Sequence, residues 1–141
     1  LEFLIRPLKG IGDVEFGMNP TQVKSILGAA DSIRRRAGKR EEHREGMIVR
    51  YADDAGVVEF AFYPESSLLM NDKDLFRHDD PVGLLLSIDP SPMESLGFLV
   101  FLNIGVCITG FHDGETSQRS ITTFVEGYWD IASHRFTPFS R

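Results

Sequence analysis

Cysteine occurs once in the 141 residues, at Cys107, and that scarcity excludes an internal disulfide and any zinc site built from several thiolates of one chain. A lone free thiol fits a reducing compartment, so the cytoplasm is the expected location. The start, Leu1-Glu2-Phe3-Leu4-Ile5, has neither the basic beginning nor the full apolar region of a signal peptide, which leaves a leader already removed as the open alternative. Basic charge is also in short supply. Fifteen Lys and Arg stand against 21 Asp and Glu, for a net charge of −6 and a pI near 5.1. Nucleic-acid binding draws on a surplus of cations to neutralise phosphates, so no nucleic acid is expected as a partner and a basic protein fits better. No apolar run approaches the roughly 20 residues that cross a bilayer, and no membrane partner is expected.

Chemical motifs are missing as well. The chain has no Gly-x-Ser-x-Gly elbow and no phosphate loop, and Gly10-Ile11-Gly12 opens no strand-to-helix turn of the nucleotide-binding kind. His43 and His134 have no spaced partner for a zinc pattern. Cys107 sits in an apolar run, where a free cysteine behaves as a small hydrophobe. No catalytic residue, metal or cofactor is therefore expected.

What is present describes one soluble domain spanning residues 1–141: 42% apolar and 26% charged residues are ordinary globular proportions, and the length can bury a real core. The clearest local signal is Phe16 to Gly28. Asn19 suits the N-cap, Pro20 the first helical position and Gln22 the reciprocal capping-box place, while Gly28 ends the helix. Val23, Ile26 and Leu27 form its apolar stripe, and Met18 is placed to staple onto Val23. Asp80-Pro81 repeats the pattern and predicts a second helix over 80–88, stopping before Pro90.

Between the helices, 34–45 is dense in both signs of charge and without core-forming residues, which reads as a solvated connection or protruding hairpin. Strands are predicted over 47–51 and 57–63, joined by the turn Asp53-Asp54-Ala55-Gly56, with Val58, Phe60 and Phe62 on one face. A third follows at 66–70. After the second helix come an apolar strand at 98–102, another at 105–111 and a last long one at 121–129. Short turns between strands imply an α+β fold: an antiparallel sheet of about five to seven strands with two short helices packed on one face. Each half reads helix, strand, strand, strand, so an internal duplication of that unit is one reading and ordinary likeness of two α/β halves is the other.

The concentrated polar cluster is Asp72, Asp74, His78, Asp79 and Asp80. Oxygen-rich groups hold hard cations, but the spacing fails the EF-hand template, and Asp80 has capping to do. Asp72, Asp74, His78 and Asp79 remain candidate binding residues. His112, Asp113 and Glu115 form a second candidate, since an imidazole beside carboxylates can be poised near neutral pH, although Asp113-Gly114 is also ordinary turn chemistry. Tyr128 and Trp129 either complete the core edge or anchor a partner.

Residues 16–28, Phe-Gly-Met-x-x-x-x-Val-x-x-Ile-Leu-Gly, resemble the opening helix motif of small bacterial α+β domains of the β-lactamase-inhibitor-like and outer-membrane assembly lipoprotein type. Those lipoproteins carry a lipidated N-terminal cysteine that this sequence lacks, so the resemblance implies no membrane anchor here. In general pattern, a small acidic α+β domain without catalytic motifs, the chain is similar to immunity proteins of bacterial toxin systems and to orphan proteins of mobile gene cassettes. The expected function is a non-catalytic binding protein, immunity- or inhibitor-like, that engages a basic protein partner through an acidic surface. The alternative is a small-ligand binder or minor hydrolase with a pocket between helix and sheet near His112. A homodimer joined through a strand edge is the third reading.

Overall fold

The computed structural model describes residues 2–111, 116–129 and 135–141. Strands β1 (Glu2–Arg6), β2 (Gly10–Ile11) and β3 (Val14–Glu15) precede helix α1 (Pro20–Leu27). Four strands follow it: β4 (Ser32–Arg36), β5 (Lys39–Arg44), β6 (Met47–Ala52) and β7 (Gly56–Phe62). Then come β8 (Ser67–Met70), β9 (Lys73–Asp74) and helix α2 (Pro81–Ile88). A second set of four strands completes the chain with β10 (Met93–Ser95), β11 (Phe98–Phe101), β12 (Val106–Thr109) and β13 (Ser120–Phe124), ahead of the short β14 (Thr137–Pro138).

The α+β class holds, but the single sheet expected from the sequence is two. One has nine strands in the order β14-β10-β11-β12-β13-β7-β6-β5-β4, all paired antiparallel, and the other has five in the order β3-β2-β1-β8-β9. The strand expected at 66–70 forms as β8, yet it joins the second sheet beside β1 in parallel, with Phe3 opposite Leu68. Each helix is thus followed by four strands that pair in chain order, one more than expected. The two runs meet where β7 pairs with β13, Phe60 opposite Thr123. The strand expected over 121–129 ends at Phe124.

Both helices form as their caps dictate. The Asn19 side chain accepts from the Gln22 N–H at 2.9 Å while the Gln22 side chain accepts from the Asn19 N–H at 2.9 Å, the reciprocal closure of a capping box. Asp80 accepts from the Gly83 N–H at 3.1 Å and Pro81 opens α2.

The main core is enclosed by the two sheets and both helices, with Val23, Phe60, Phe62, Leu68, Leu85, Leu99, Phe101 and Ile121 fully buried. Phe3 and Phe16 reach across to Phe62 and Phe60, ring centroids 5.4 and 5.5 Å apart. Three expectations for this core fail. Ile26 is 40% exposed and Leu27 only half-buried, because α1 lays a narrower face on the sheet than its stripe suggested. Val57, rather than Val58, joins Phe60 and Phe62 in the main cluster, because a β-bulge between Arg50 and Tyr51 shifts the alternation. Within 34–45, predicted to be solvated, Glu41 and Glu42 are buried at 4% and 3% exposure.

A smaller apolar cluster, Val100, Cys107 and Phe124 with Tyr128, Trp129 and Phe136 packed against it, lies on the other face of the nine-stranded sheet, as alternation requires. Tyr128 and Trp129 therefore complete a core edge. Gly56 answers a steric demand: a Cβ there would lie 2.2 Å from the Gly17 carbonyl oxygen, where residues 17 and 18 bond to Val57 at the start of β7.

Candidate functional site

The predicted acidic cluster does not converge on a common point. Asp72 is exposed in the β8–β9 turn, and both Asn71 and Asp72 have positive φ, as a type I′ hairpin demands. Asp74 is half-buried and committed to the fold, accepting from the Ser67 hydroxyl at 2.8 Å, the Phe76 N–H at 3.0 Å and Arg77 at 3.2 Å. The His78 Nδ1 accepts from the Asp80 N–H at 2.9 Å. Asp80 caps α2 and pairs with Arg141 at 2.6 Å; hydrogen bonds from Arg141 and then from the Gly83 N–H hold its carboxyl down at about 2. Asp72 and Asp79 alone are left facing solvent. Among the described residues no group of three or more His, Cys, Asp or Glu is placed to hold a metal ion. His112, Asp113 and Glu115 lie outside the described residues.

Buried charge is concentrated elsewhere, on β5, β6 and β7. Cross-strand register places Glu41, Arg50 and Glu59 in one row on one face of the sheet. Arg50 donates to Glu41 at 2.6 Å and to Glu59 at 2.5 Å, His43 contacts Glu41 at 3.3 Å, and the Tyr128 hydroxyl donates to Glu59 at 3.4 Å. On the opposite face Glu42 accepts from Arg40 at 2.8 Å, Arg44 at 3.1 Å and the Tyr51 hydroxyl at 2.7 Å. Burial pushes the Glu41 and Glu42 carboxyls up, but hydrogen bonds outweigh it, mainly from Arg50 to the first and from Tyr51, Arg40 and Arg44 to the second, so both stay below the usual range. Carboxylates this fully engaged are poor bases. The network ties the sheet together. Cys107 is equally inert: burial pushes its thiol up to about 12.

The surface that combines free charge with apolar area is a groove of about 470 Å³ between the C-terminal half of α1, β1, the β2–β3 turn and the β5–β6 turn. Phe3, Ile11, Val14, Leu27 and Met47 form its floor, and Ile26, the stripe residue that misses the core, stands on its lip. Glu2, Asp13, Asp31 and Glu45 line its exposed rim, and none of these carboxylates has a hydrogen-bond or ion-pair partner among the described residues. Among the described residues of its wall the one cation, Arg44, is already engaged with Glu42 at 3.1 Å and with the Gly28 carbonyl at 2.9 Å. The C-terminal end of α1, the negative end of its dipole, opens beside the groove.

The sequence carries no signal for this site. Its acids come from four separate segments, each next to a turn or loop, where a carboxylate reads as ordinary solvated surface. Among the described residues no helix is long and apolar enough to cross a membrane. No protein-family model matches the chain, and neither the curated proteins nor the solved structures contain a significant match.

Proposed function

We propose that the protein is a non-catalytic binding protein that engages a basic protein partner, and that the groove beside α1 is where it does so. The observation that carries this reading is a concave apolar floor ringed by four carboxylates without a partner among the described residues, with Arg44, the cation among its described lining residues, internally neutralised. Its complement is a segment presenting Arg or Lys beside apolar side chains. The cation meets the rim and the helix dipole while the apolar groups cover Phe3, Leu27 and Ile26. A basic toxin or enzyme held in an immunity- or inhibitor-like complex is the class of partner that fits. Asp72 and Asp79 extend the negative field that steers such a partner. The matching order of the two halves, helix and then four paired strands, supports reading the scaffold as a duplicated unit.

The test is an NMR titration of labelled protein with a short peptide rich in arginine and leucine. Amide shifts should centre on residues 11–14, 26–31 and 45–47, and affinity should fall with added salt. Asp13→Lys with Glu45→Lys should weaken binding by about tenfold or more, the scale of a lost 1.4 kcal/mol. Shifts confined to 72–79, or binding indifferent to the groove substitutions, would refute the assignment. The hydrolase alternative predicts turnover abolished by His112→Ala.

A further inference from the structure

Strand β4 closes one edge of the nine-stranded sheet, and every residue of it, Ser32–Arg36, is exposed. An antiparallel strand with a single neighbour turns part of its backbone N–H and C=O groups outward, where they are open to a further strand. A proline or a bulge commonly blunts such an edge. β4 has neither: it pairs with β5 in unbroken register from Ser32 opposite His43 to Arg36 opposite Lys39. The turn through Ala37 and Gly38, both at positive φ, holds it in line, so an incoming chain meets an edge that is already extended.

The edge carries free positive charge. Arg34 and Arg36 share the face of the sheet that holds the Glu41–Arg50–Glu59 row, and neither has a hydrogen-bond or ion-pair partner among the described residues. The acid opposite Arg34 is Glu41, which already accepts from Arg50 at 2.6 Å and contacts His43 at 3.3 Å. Opposite Arg36 stands another cation, Lys39, 5.2 Å from the Tyr128 ring centre. The other face of β4 presents Ile33, 55% exposed, and Arg35, which is tied to Asp53 at 3.1 Å. Ile33 walls a hollow of about 240 Å³ beside α1, together with Ala29, Ala30 and Lys24.

This pattern selects among strands. The β4 of a second copy, laid antiparallel alongside, would set arginine against arginine, a destabilising cross-strand pair. A strand with carboxylates at alternate positions sets one against Arg34 and one against Arg36, and its next residue then falls beside Ile33 on the opposite face.

We propose that the β4 edge docks an extended acidic segment of a partner protein, which adds to the sheet as an antiparallel strand with two carboxylates, two residues apart, on Arg34 and Arg36 and an apolar residue beside Ile33. Backbone hydrogen bonds along the edge supply affinity, and the alternation of charge supplies register. The site is distinct from the acidic groove, which has the opposite charge and is lined by none of Ile33, Arg34 and Arg36.

The probe is a short capped peptide with the core Glu-Thr-Glu-Val-Thr, added to labelled protein and followed by NMR. Amide shifts should centre on 32–36, outward N–H groups of β4 should gain protection from hydrogen exchange, and affinity should fall with added salt. Reordering the core to Glu-Glu-Thr-Val-Thr turns one carboxylate to the other face and should weaken binding by about fivefold or more at unchanged charge. Arg34→Gln with Arg36→Gln should weaken it by about tenfold or more, with a Tm close to wild type because both side chains are exposed. Asp13→Asn, in the groove, should leave it unchanged. The proposal is overturned by an absence of shifts at 32–36 with about 1 mM peptide, by equal binding of the two peptides, or by a double variant that binds as well as wild type. It is overturned equally by a single-stranded oligonucleotide that binds these residues more tightly than the peptide, or by β4 signals that move with protein concentration alone.

Discussion

Arg50→Met isolates what the buried charge row contributes. Methionine keeps the unbranched stem, so the packing of the β6 surface changes little while the charge is removed. Arg50 is the shared partner of Glu41 and Glu59, whose side chains are 5% and 11% exposed. Removing one member of a buried pair leaves an uncompensated charge and costs about 3–5 kcal/mol, a large share of the roughly 5–15 kcal/mol that holds a domain together. For a chain of this size the Tm should fall by roughly 10–15 °C at neutral pH. The pH dependence has a definite sign. In the wild type the Glu41 carboxyl lies below its ordinary value, so its contribution is complete above the unfolded pKa and is lost as pH falls through the folded one. In the variant burial acts without Arg50 to outweigh it, and His43 at 3.3 Å is the neighbour that remains. The Glu41 carboxyl then rises, protonation becomes tolerable in the fold, and the penalty grows as pH rises through the carboxylate range. Urea unfolding followed by Trp129 fluorescence at pH 7 and at pH 4 should show a wide gap between the two proteins at pH 7 and a narrower one at pH 4. A loss under about 1 kcal/mol at pH 7, within the range of an exposed pair, or a gap that widens in acid, would refute the reasoning.

Phe60→Ala should cost about 3–5 kcal/mol, since Phe60 has no exposed surface and touches the Phe16 and Phe62 rings, whereas Ile26→Ala, on the groove lip, should cost much less; chemical denaturation of both variants checks the contrast. Asp80→Ala should lower the Tm by removing the α2 cap and the Arg141 contact together. With the carboxyl at about 2 in the folded state, that difference should persist down through pH 4 and vanish only as pH falls toward 2, which thermal scans across that range would follow.

The helices were legible because their signals are local. Asn19, Pro20, Gln22 and Gly28 act on one another within a single short segment, and Asp80-Pro81 repeats the device, so no distant contact is needed to place α1 or α2. The same is true of the turn at 53–56 and of the apolar run expected at 98–102, where a strand forms over Phe98–Phe101 with Leu99, Val100 and Phe101 buried. The candidate site was not legible. Asp74 and His78 look like free ligands in a string of letters, and only their neighbours in space show that one ties down the 74–77 turn and the other accepts from the next helix's cap.

Partner choice, burial of charge and the surface left over were decided by the tertiary structure. A strand's pattern states which face is apolar but not which edge it meets, so nothing within Ser67–Met70 announces parallel pairing with β1 instead of a place after β7. Glu41 and Glu42 read as solvated because charged residues are costly to bury alone. Arg50, which pairs with Glu41, and Tyr51, which donates to Glu42, lie on a strand brought alongside by register, and that pairing makes burial possible. The acidic groove is the remainder of the same process. Where α1 could not cover the sheet completely, Ile26 and four separately encoded carboxylates were left around one apolar floor, a juxtaposition that exists only once the chain has closed on itself.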